Sequence, residues 1–230
     1  MNIITNDLIF NDRTLNIFTD ASIIKTDTNE TIGCAGNNII VNNTILEQPT
    51  QIIRNSTNNN SEITAIYMAV VNALKYRDKF DIINIFSDSK ICVFGLREWI
   101  YNWIKISPGD VLISSQEKPV ANQEIILRII YFILNHNLRI NLYHVKGHVN
   151  YNSPDQLFTA KEIFMSSNHI KHDIDIELIR NICIANDQVD NFTREQLNNC
   201  IFDEVPVKRS FIGVKYTPFD SKRYANLLRV

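Results

Sequence analysis

The first 55 residues alternate between short apolar-rich runs and polar breaks. Leu15–Thr19 (LNIFT) ends at Asp20, and Thr31–Val41 and Thr44–Glu47 follow around an Asn42-Asn43 turn. Together the three runs predict a meander of strands. A polar loop, Ser56–Ser61 (STNNNS), separates them from a helical pattern that opens at Glu62, with Ile63, Ile66, Tyr67, Val70, Val71 and Leu74 at three- and four-residue steps. Ile82–Ser87 (IINIFS) is a near-continuous apolar run, as in a central strand buried on both faces, and it too ends in an aspartate, Asp88. Helical periodicity returns over 90–105, breaks at Ser107-Pro108-Gly109 and resumes over 124–134, before a further strand at Ile140–Val145. A capped helix over Pro154–Ser166, a second over Asp175–Ile184 and a last helical stretch from Asn186 complete the pattern. Three strands, a helix, a strand, two helices, a strand and an all-helical end predict an α/β fold, a mixed sheet with helices on its faces.

A chain of 230 residues with 45% hydrophobic content can bury the core of one sizeable domain. Its longest apolar runs, such as Ile129–Leu134, fall far short of the ~20 residues needed to cross a bilayer. The N-terminus, MNIITNDLIF, lacks the basic start and small-residue cleavage site of a signal peptide, so an intracellular, cytoplasmic protein is expected. Cys34, Cys92, Cys183 and Cys200 are scattered without a C-x-x-C pair, which fits reduced, buried side chains better than a zinc site or a disulfide framework. The net charge of −2 announces no polyanion partner, but six basic and three acidic residues from Ile201 onward make that end about +3 and the remainder about −5. This extension is either a solvated tail or a contact for a polyanion.

Three carboxylates stand out by position: Asp20 and Asp88, each directly after a strand, and Glu62 in the first turn of a helix. In open α/β sheets, strand ends and helix starts converge on one rim. Carboxylates crowded there repel unless a cation neutralises them, and a set of oxygen ligands without Cys or His suits Mg²⁺ or Mn²⁺. Singly, each is also explained as a surface charge or, for Glu62, as an acid favoured by the helix dipole.

The residues around them narrow the choice. FTDAS at 18–22, TNNNSEITAIYMAVVNAL at 57–74, FSDSKICVFGLREWIYNW at 86–103 and VKGHV at 145–149 resemble the successive motifs of type 1 ribonuclease H, in that family's order and with similar gaps. The resemblance covers about residues 15–150 and resumes near NDQVD at 186–190. It implies a ribonuclease H-like mixed sheet of five strands flanked by helices, and an endonuclease acting on the RNA strand of an RNA/DNA hybrid. It further implies two Mg²⁺ ions, Mn²⁺ being an alternative, held by Asp20, Glu62, Asp88 and a fourth aspartate, with Asp20 bridging the ions. Apart from the resemblance, a monomer with no membrane contact and no protein partner is expected. In-line displacement at such a site leaves 5′-phosphate and 3′-hydroxyl ends.

Carried over in the same way, Asn58 and Asn59 resemble paired asparagines that read 2′-hydroxyls, because an amide both donates and accepts. His148 matches a mobile histidine that assists proton transfer or product release. Thr57 and Ser89 would bond a phosphate or 2′-hydroxyl, or else cap helices. Trp99 and Trp103, with Leu96, would pack against the sheet, or, for Trp99, stand near the phosphates. In this family a basic helix-loop follows the Trp-containing helix, but 105–122 (KISPGDVLISSQEKPVAN) holds two lysines against one Asp and one Glu. Phosphate affinity scales with phosphates neutralised, so the basic extension is the candidate substitute.

Two aspartates compete for the fourth position. Asp155 lies nearer to His148, but Ser153, Pro154, Asp155 and Gln156 also read as a helix start with N-cap, first-turn acid and capping box. Asn186 and Asp190 have the four-residue step the family shows, which puts both on one helix face, and they require a helical insertion at about 151–185. Asp190, with Asn186 beside it, is the choice. The expected organisation is a catalytic domain over 1–200 with that insertion, followed by a basic C-terminal extension over 201–230. The competing readings are a nuclease of this fold acting on another nucleic acid, as resolvases do, and a non-catalytic nucleic-acid-binding or tethering module.

Overall fold

Pairing in the sheet explains why the acidic residues meet. The structure, a computed structural model, describes residues 4–5, 13–108 and 111–202; all but the start of the basic extension, and Gly109, lie outside the described residues. After the two-residue strand β1 (Ile4–Thr5), the chain forms β2 (Thr14–Lys25), β3 (Thr31–Val41), β4 (Thr44–Glu47) and β5 (Thr50–Arg54). The helix α1 (Asn58–Leu74) then leads to β6 (Ile82–Ser87), and β7 (Ile140–His144) completes the sheet. Strand order is β1-β7-β6-β2-β3-β4, with β5 also paired to β3. Among the described residues, seven strands thus stand where five were expected. The short β1 adds to β7 in parallel, and the outer edge is divided because Pro49, which has no N–H for a ladder, separates β4 from β5.

β2 runs antiparallel to β3 over its whole length, from Asn16↔Ile40 to Lys25↔Thr31. Its parallel pairing with β6 stops at Thr19↔Ser87. Asp20 therefore lies inside a strand rather than after one, yet level with the residue that follows β6, Asp88. The sequence reading ended the strand too early because the alternation through Ser22–Lys25 depends on the hairpin with β3.

Each sheet face carries its own core. On one, Leu15, Ile17, Ile83, Ile85 and Leu142 pack against Ile63, Ile66 and Val70 of α1 and against Ile126, Ile129 and Ile130 of a later helix. On the other, Phe18, Phe86 and Tyr143 are in cross-strand register and stack at 4.5 and 5.1 Å between centroids. Below this row the buried Asn84 bonds Asn16 at 2.9 Å and receives a bond from Asn141 at 3.0 Å, so the polar residue within IINIFS is satisfied.

The helix expected over 90–105 is interrupted. It is built from α2 (Lys90–Phe94), a π turn over Gly95–Trp99 and α3 (Ile100–Ile106), followed by α4 (Gln123–Asn135). The π turn leaves Leu96 buried but rotates Trp99 outward to 41% exposure, edge-on to Trp103 at 6.1 Å, so Trp99 packs on its neighbours and not on the sheet. The insertion also differs from expectation. α5 (Pro154–Ser167) is present, but the second inserted helix and the final helix are one, α6 (Ile176–Phe202), 27 residues long. No Gly or Pro interrupts that stretch, and Ile179, Ile182, Cys183, Val189 and Leu197 are buried along it. Leu157, Ala160 and Phe164 of α5 join Ile179, Ile182 and Val189 of α6 in the second core. Among the described residues, no helix is long and apolar enough to cross a membrane.

Candidate active site

Asp20, Glu62 and Asp88 come together at the rim where β6 ends. One carboxylate oxygen from each lies within 4.8 Å of the other two. Glu62 sits in the second turn of α1, not the first, because Thr57 is the N-cap and accepts a bond from Asn60 N at 3.2 Å. The helix-dipole explanation for Glu62 therefore fails. Its side chain is 6% exposed, and its Oε2 is buried with no hydrogen-bond partner. An unpaired buried carboxylate oxygen is costly unless a cation meets it.

Electrostatics point the same way. Burial pushes the Asp20 carboxyl up to about 8, with the charges of Asp88 and Asp190 adding to it. Burial also holds Glu62 well above the usual carboxylate range, followed by Asp20, Asp88 and Asp190. Asp88 is raised by burial as well, against which His148 and a hydrogen bond from Asn186 act. Octahedral coordination at about 2.1 Å places ligand oxygens about 3.0 Å apart when adjacent and about 4.2 Å when opposite. An all-oxygen triad of this spacing, with an unpartnered atom among its oxygens, fits a hard divalent cation.

The triad opens into a cleft of about 530 Å³, lined also by Ser22, Ile24, Asn58, Ser89, His148, Asp190 and Arg194. Asp190 is 8% exposed; Arg194 Nη2 bonds its Oδ2 at 2.5 Å, and His148 Nδ1 lies 3.6 Å from the same oxygen. His148 itself stands exposed at the rim with a left-handed φ of 52°. The glycine before it is required by contact: a Cβ on Gly147 would lie 2.3 Å from Asp88 Oδ2. From α6, Asn186 donates to the Asp88 carboxylate, and Thr193, wholly buried, approaches Asp20.

Asp155 is elsewhere. It is exposed in the first turn of α5 and is not among the residues lining the cleft. Ser153 is the N-cap there but makes no side-chain cap bond, and Gln156 accepts from Asn150 N at 3.0 Å instead of completing a capping box. Of the remaining expected contacts, Asn58 and Ser89 line the cleft, whereas Asn59 is exposed outside that lining and Thr57 is engaged as a helix cap. Sequence reasoning passed over Gly147 and Thr193. The KGH spacing marks the first, but nothing local marks the second, because its partners are on β2.

The family model for RNase H matches residues 12–162. A ribonuclease H of Ruthia magnifica is 33% identical over 96 residues, 41% of this chain and 59% of that protein. Ribonuclease HI of Haemophilus influenzae is 34% identical over 93 residues, 40% of this chain and 54% of that protein. The chain thus spans a little over half the length of these curated relatives. The fold is similar to that of a foamy viral protease-reverse transcriptase solved in complex with an RNA/DNA hybrid, at a TM-score of 0.50 and 16% identity over 70% of this chain and 20% of that one. The family match ends inside α5, so Asp190 lies beyond it and its place at the cleft comes from geometry alone. With more than half of its length matched, this chain belongs to the RNase H family.

Proposed function

We propose that the cleft hydrolyses the RNA strand of RNA/DNA hybrids, leaving 5′-phosphate and 3′-hydroxyl ends. The observation that carries this reading is the triad of Asp20, Glu62 and Asp88, buried, mutually repelling and open to a cleft, in a chain of the RNase H family. Asp20, Glu62 and Asp88, with Asp190 beside them, would hold two Mg²⁺ ions, or Mn²⁺ in their place. Bound there, the ions supply a polarised water and charge stabilisation at the scissile phosphate.

The chain's own residues do the rest. Asn186 orients Asp88, and Arg194 fixes one oxygen of Asp190 so that its carboxylate faces the cleft. His148, exposed within 3.6 Å of Asp190, is placed to accept or deliver a proton at the rim and to follow the departing product. Asn58 lies on the cleft wall, where its amide can donate to and accept from a 2′-hydroxyl, and Ser89 lines the same cleft as a secondary contact; Asn59, exposed beside Asn58, and the helix cap Thr57 would be reached only by a substrate that extends past the cleft. Phosphate affinity is assigned to the basic extension, since 105–122 carries no net charge.

Cleavage of a labelled RNA/DNA hybrid, double-stranded RNA, double-stranded DNA and a four-way junction, each with Mg²⁺ or EDTA, tests the proposal. Cutting confined to the hybrid's RNA strand and abolished by EDTA is the expected pattern. Junction or duplex-DNA cutting would indicate a resolvase-like nuclease, and binding to the hybrid without cutting a tethering module. Deleting 205–230 should weaken hybrid binding and flatten its salt dependence.

A further inference from the structure

Thr193 links the carboxylate of Asp20 to the backbone of the helix that carries Asp190. Its side chain is wholly buried on α6, three residues after Asp190. The hydroxyl lies 3.3 Å from Asp20 Oδ2, 2.9 Å from the Asp190 carbonyl and 2.9 Å from Ser22 Oγ. Its one proton has three acceptors within reach, Asp20 Oδ2, the Asp190 carbonyl and Ser22 Oγ, and Ser22 can instead donate to the Thr193 oxygen. An ionised Asp20 is the strongest acceptor of these, because charge-assisted bonds exceed neutral ones.

The methyl group of the same side chain has a separate task. A Cβ on Gly36, the register partner of Asp20 on β3, would lie 2.5 Å from Thr193 Cγ2. The missing side chain at Gly36 is therefore the slot in which the Thr193 methyl sits, where α6 lies over the β2–β3 hairpin. One residue thus packs the helix that carries Asp190 against Gly36 through its methyl, and contacts the carboxylate of Asp20 through its hydroxyl.

We propose that Thr193 is a positioning residue for the cation site, holding Asp20 Oδ2 in place by a hydrogen bond from its hydroxyl, with Gly36 admitting its methyl. Ser22 completes the chain of hydroxyls from the cleft wall. The proposal rests on the reading of Asp20 as a cation ligand. It assigns Thr193 no contact with substrate.

Valine and serine divide the two tasks. Thr193→Val keeps the shape in the Gly36 slot and removes the hydroxyl; Thr193→Ser keeps the hydroxyl and removes the methyl. Mn²⁺ binding to the full chain, by calorimetry without substrate, is measured beside the melting temperature of each metal-free protein. Thr193→Val should bind Mn²⁺ at least about tenfold more weakly than wild type, the loss of one bond to a charged acceptor, without melting lower than Thr193→Ser. Thr193→Ser should recover affinity to within about threefold, although its melting temperature falls from the lost packing. Equal Mn²⁺ affinity in Thr193→Val and wild type overturns the proposal, as does equal weakening in both variants, which would assign the effect to packing. A wild-type protein that binds no Mn²⁺, under conditions where Asp20→Asn behaves the same, overturns the cation reading and the proposal with it.

Discussion

Replacing Gly147 with alanine puts a carbon 2.3 Å from Asp88 Oδ2, 3.1 Å from its Cγ and 3.3 Å from its Cβ. Ordinary contact begins near about 3.4 Å, so either the 145–149 loop or the Asp88 carboxylate must move by about 1 Å. Asp88 is held by Asn186 and by its place at the end of β6, while the loop is anchored where Val145 N donates to Ser87 O at 3.0 Å. No described glycine has a positive φ, so alanine meets no backbone strain at 147 and restricts the unfolded chain by about 0.4–1 kcal/mol. The clash and this gain oppose each other in stability, but in geometry nothing offsets the displacement. A 1 Å misplacement of a catalytic group costs about 100-fold in rate. The expected result for Gly147→Ala is a melting temperature within a few degrees of wild type and a turnover of hybrid lowered about 100-fold, measured under single-turnover conditions with saturating Mg²⁺. Wild-type turnover in a folded Gly147→Ala protein would refute the reasoning that this glycine exists to admit the Asp88 carboxylate.

Asp190→Asn should lower turnover by at least about 100-fold, as expected for losing a charge aimed at the reacting centre, whereas Asp155→Asn should cost only about 0.3–1 kcal/mol of helix stability with turnover retained. The reverse pattern in the same cleavage assay would assign the fourth position to Asp155. The metal-free protein should lose stability as pH rises. Asp20 ionises at about 8 in the fold against 3.8 in a free chain, so between those values the native state binds more protons than the unfolded one. The slope is ~1.4 kcal/mol per pH unit from this group, and Mn²⁺ should flatten it by replacing the proton. Melting curves in EDTA and in Mn²⁺ across about pH 5 to 8 check this, and a metal-free melting temperature that climbs through that window would contradict it.

The parts of the site that were legible from sequence are those whose signals are local. Ile82–Ser87 announced a strand buried on both faces, so Asp88 followed at its end, and the four-residue step from Asn186 to Asp190 placed both on one face of a helix. Glu62 was found for an incomplete reason: its helix begins four residues earlier, at Asn58, and burial rather than the dipole defines it. Asp20 was identified, but its strand was ended too soon, since the extension to Lys25 exists only through pairing with β3. The expected pair of inserted helices corresponds to α5 and the first third of α6, because no breaker separates Ile184 from Asn186 and the apolar face continues across them. Thr193 and Gly36 could not be read at all. Their relation is a helix-to-hairpin approach between distant segments, and neither residue stands out in its own neighbourhood.

The proposed hybrid nuclease activity depends on a cation held by the buried triad of Asp20, Glu62 and Asp88. Its most direct test is the digestion of a hybrid labelled on the RNA strand by wild type and by Asp20→Asn, Glu62→Gln and Asp88→Asn, each in Mg²⁺ and in EDTA, with the fragment ends identified. Wild type in Mg²⁺ alone should cut the RNA strand to fragments with 5′-phosphate and 3′-hydroxyl ends, and each substitution should abolish cutting in a protein that still folds. Cutting that survives EDTA or the triad substitutions, or an intact hybrid with wild type in both Mg²⁺ and Mn²⁺, would contradict the account.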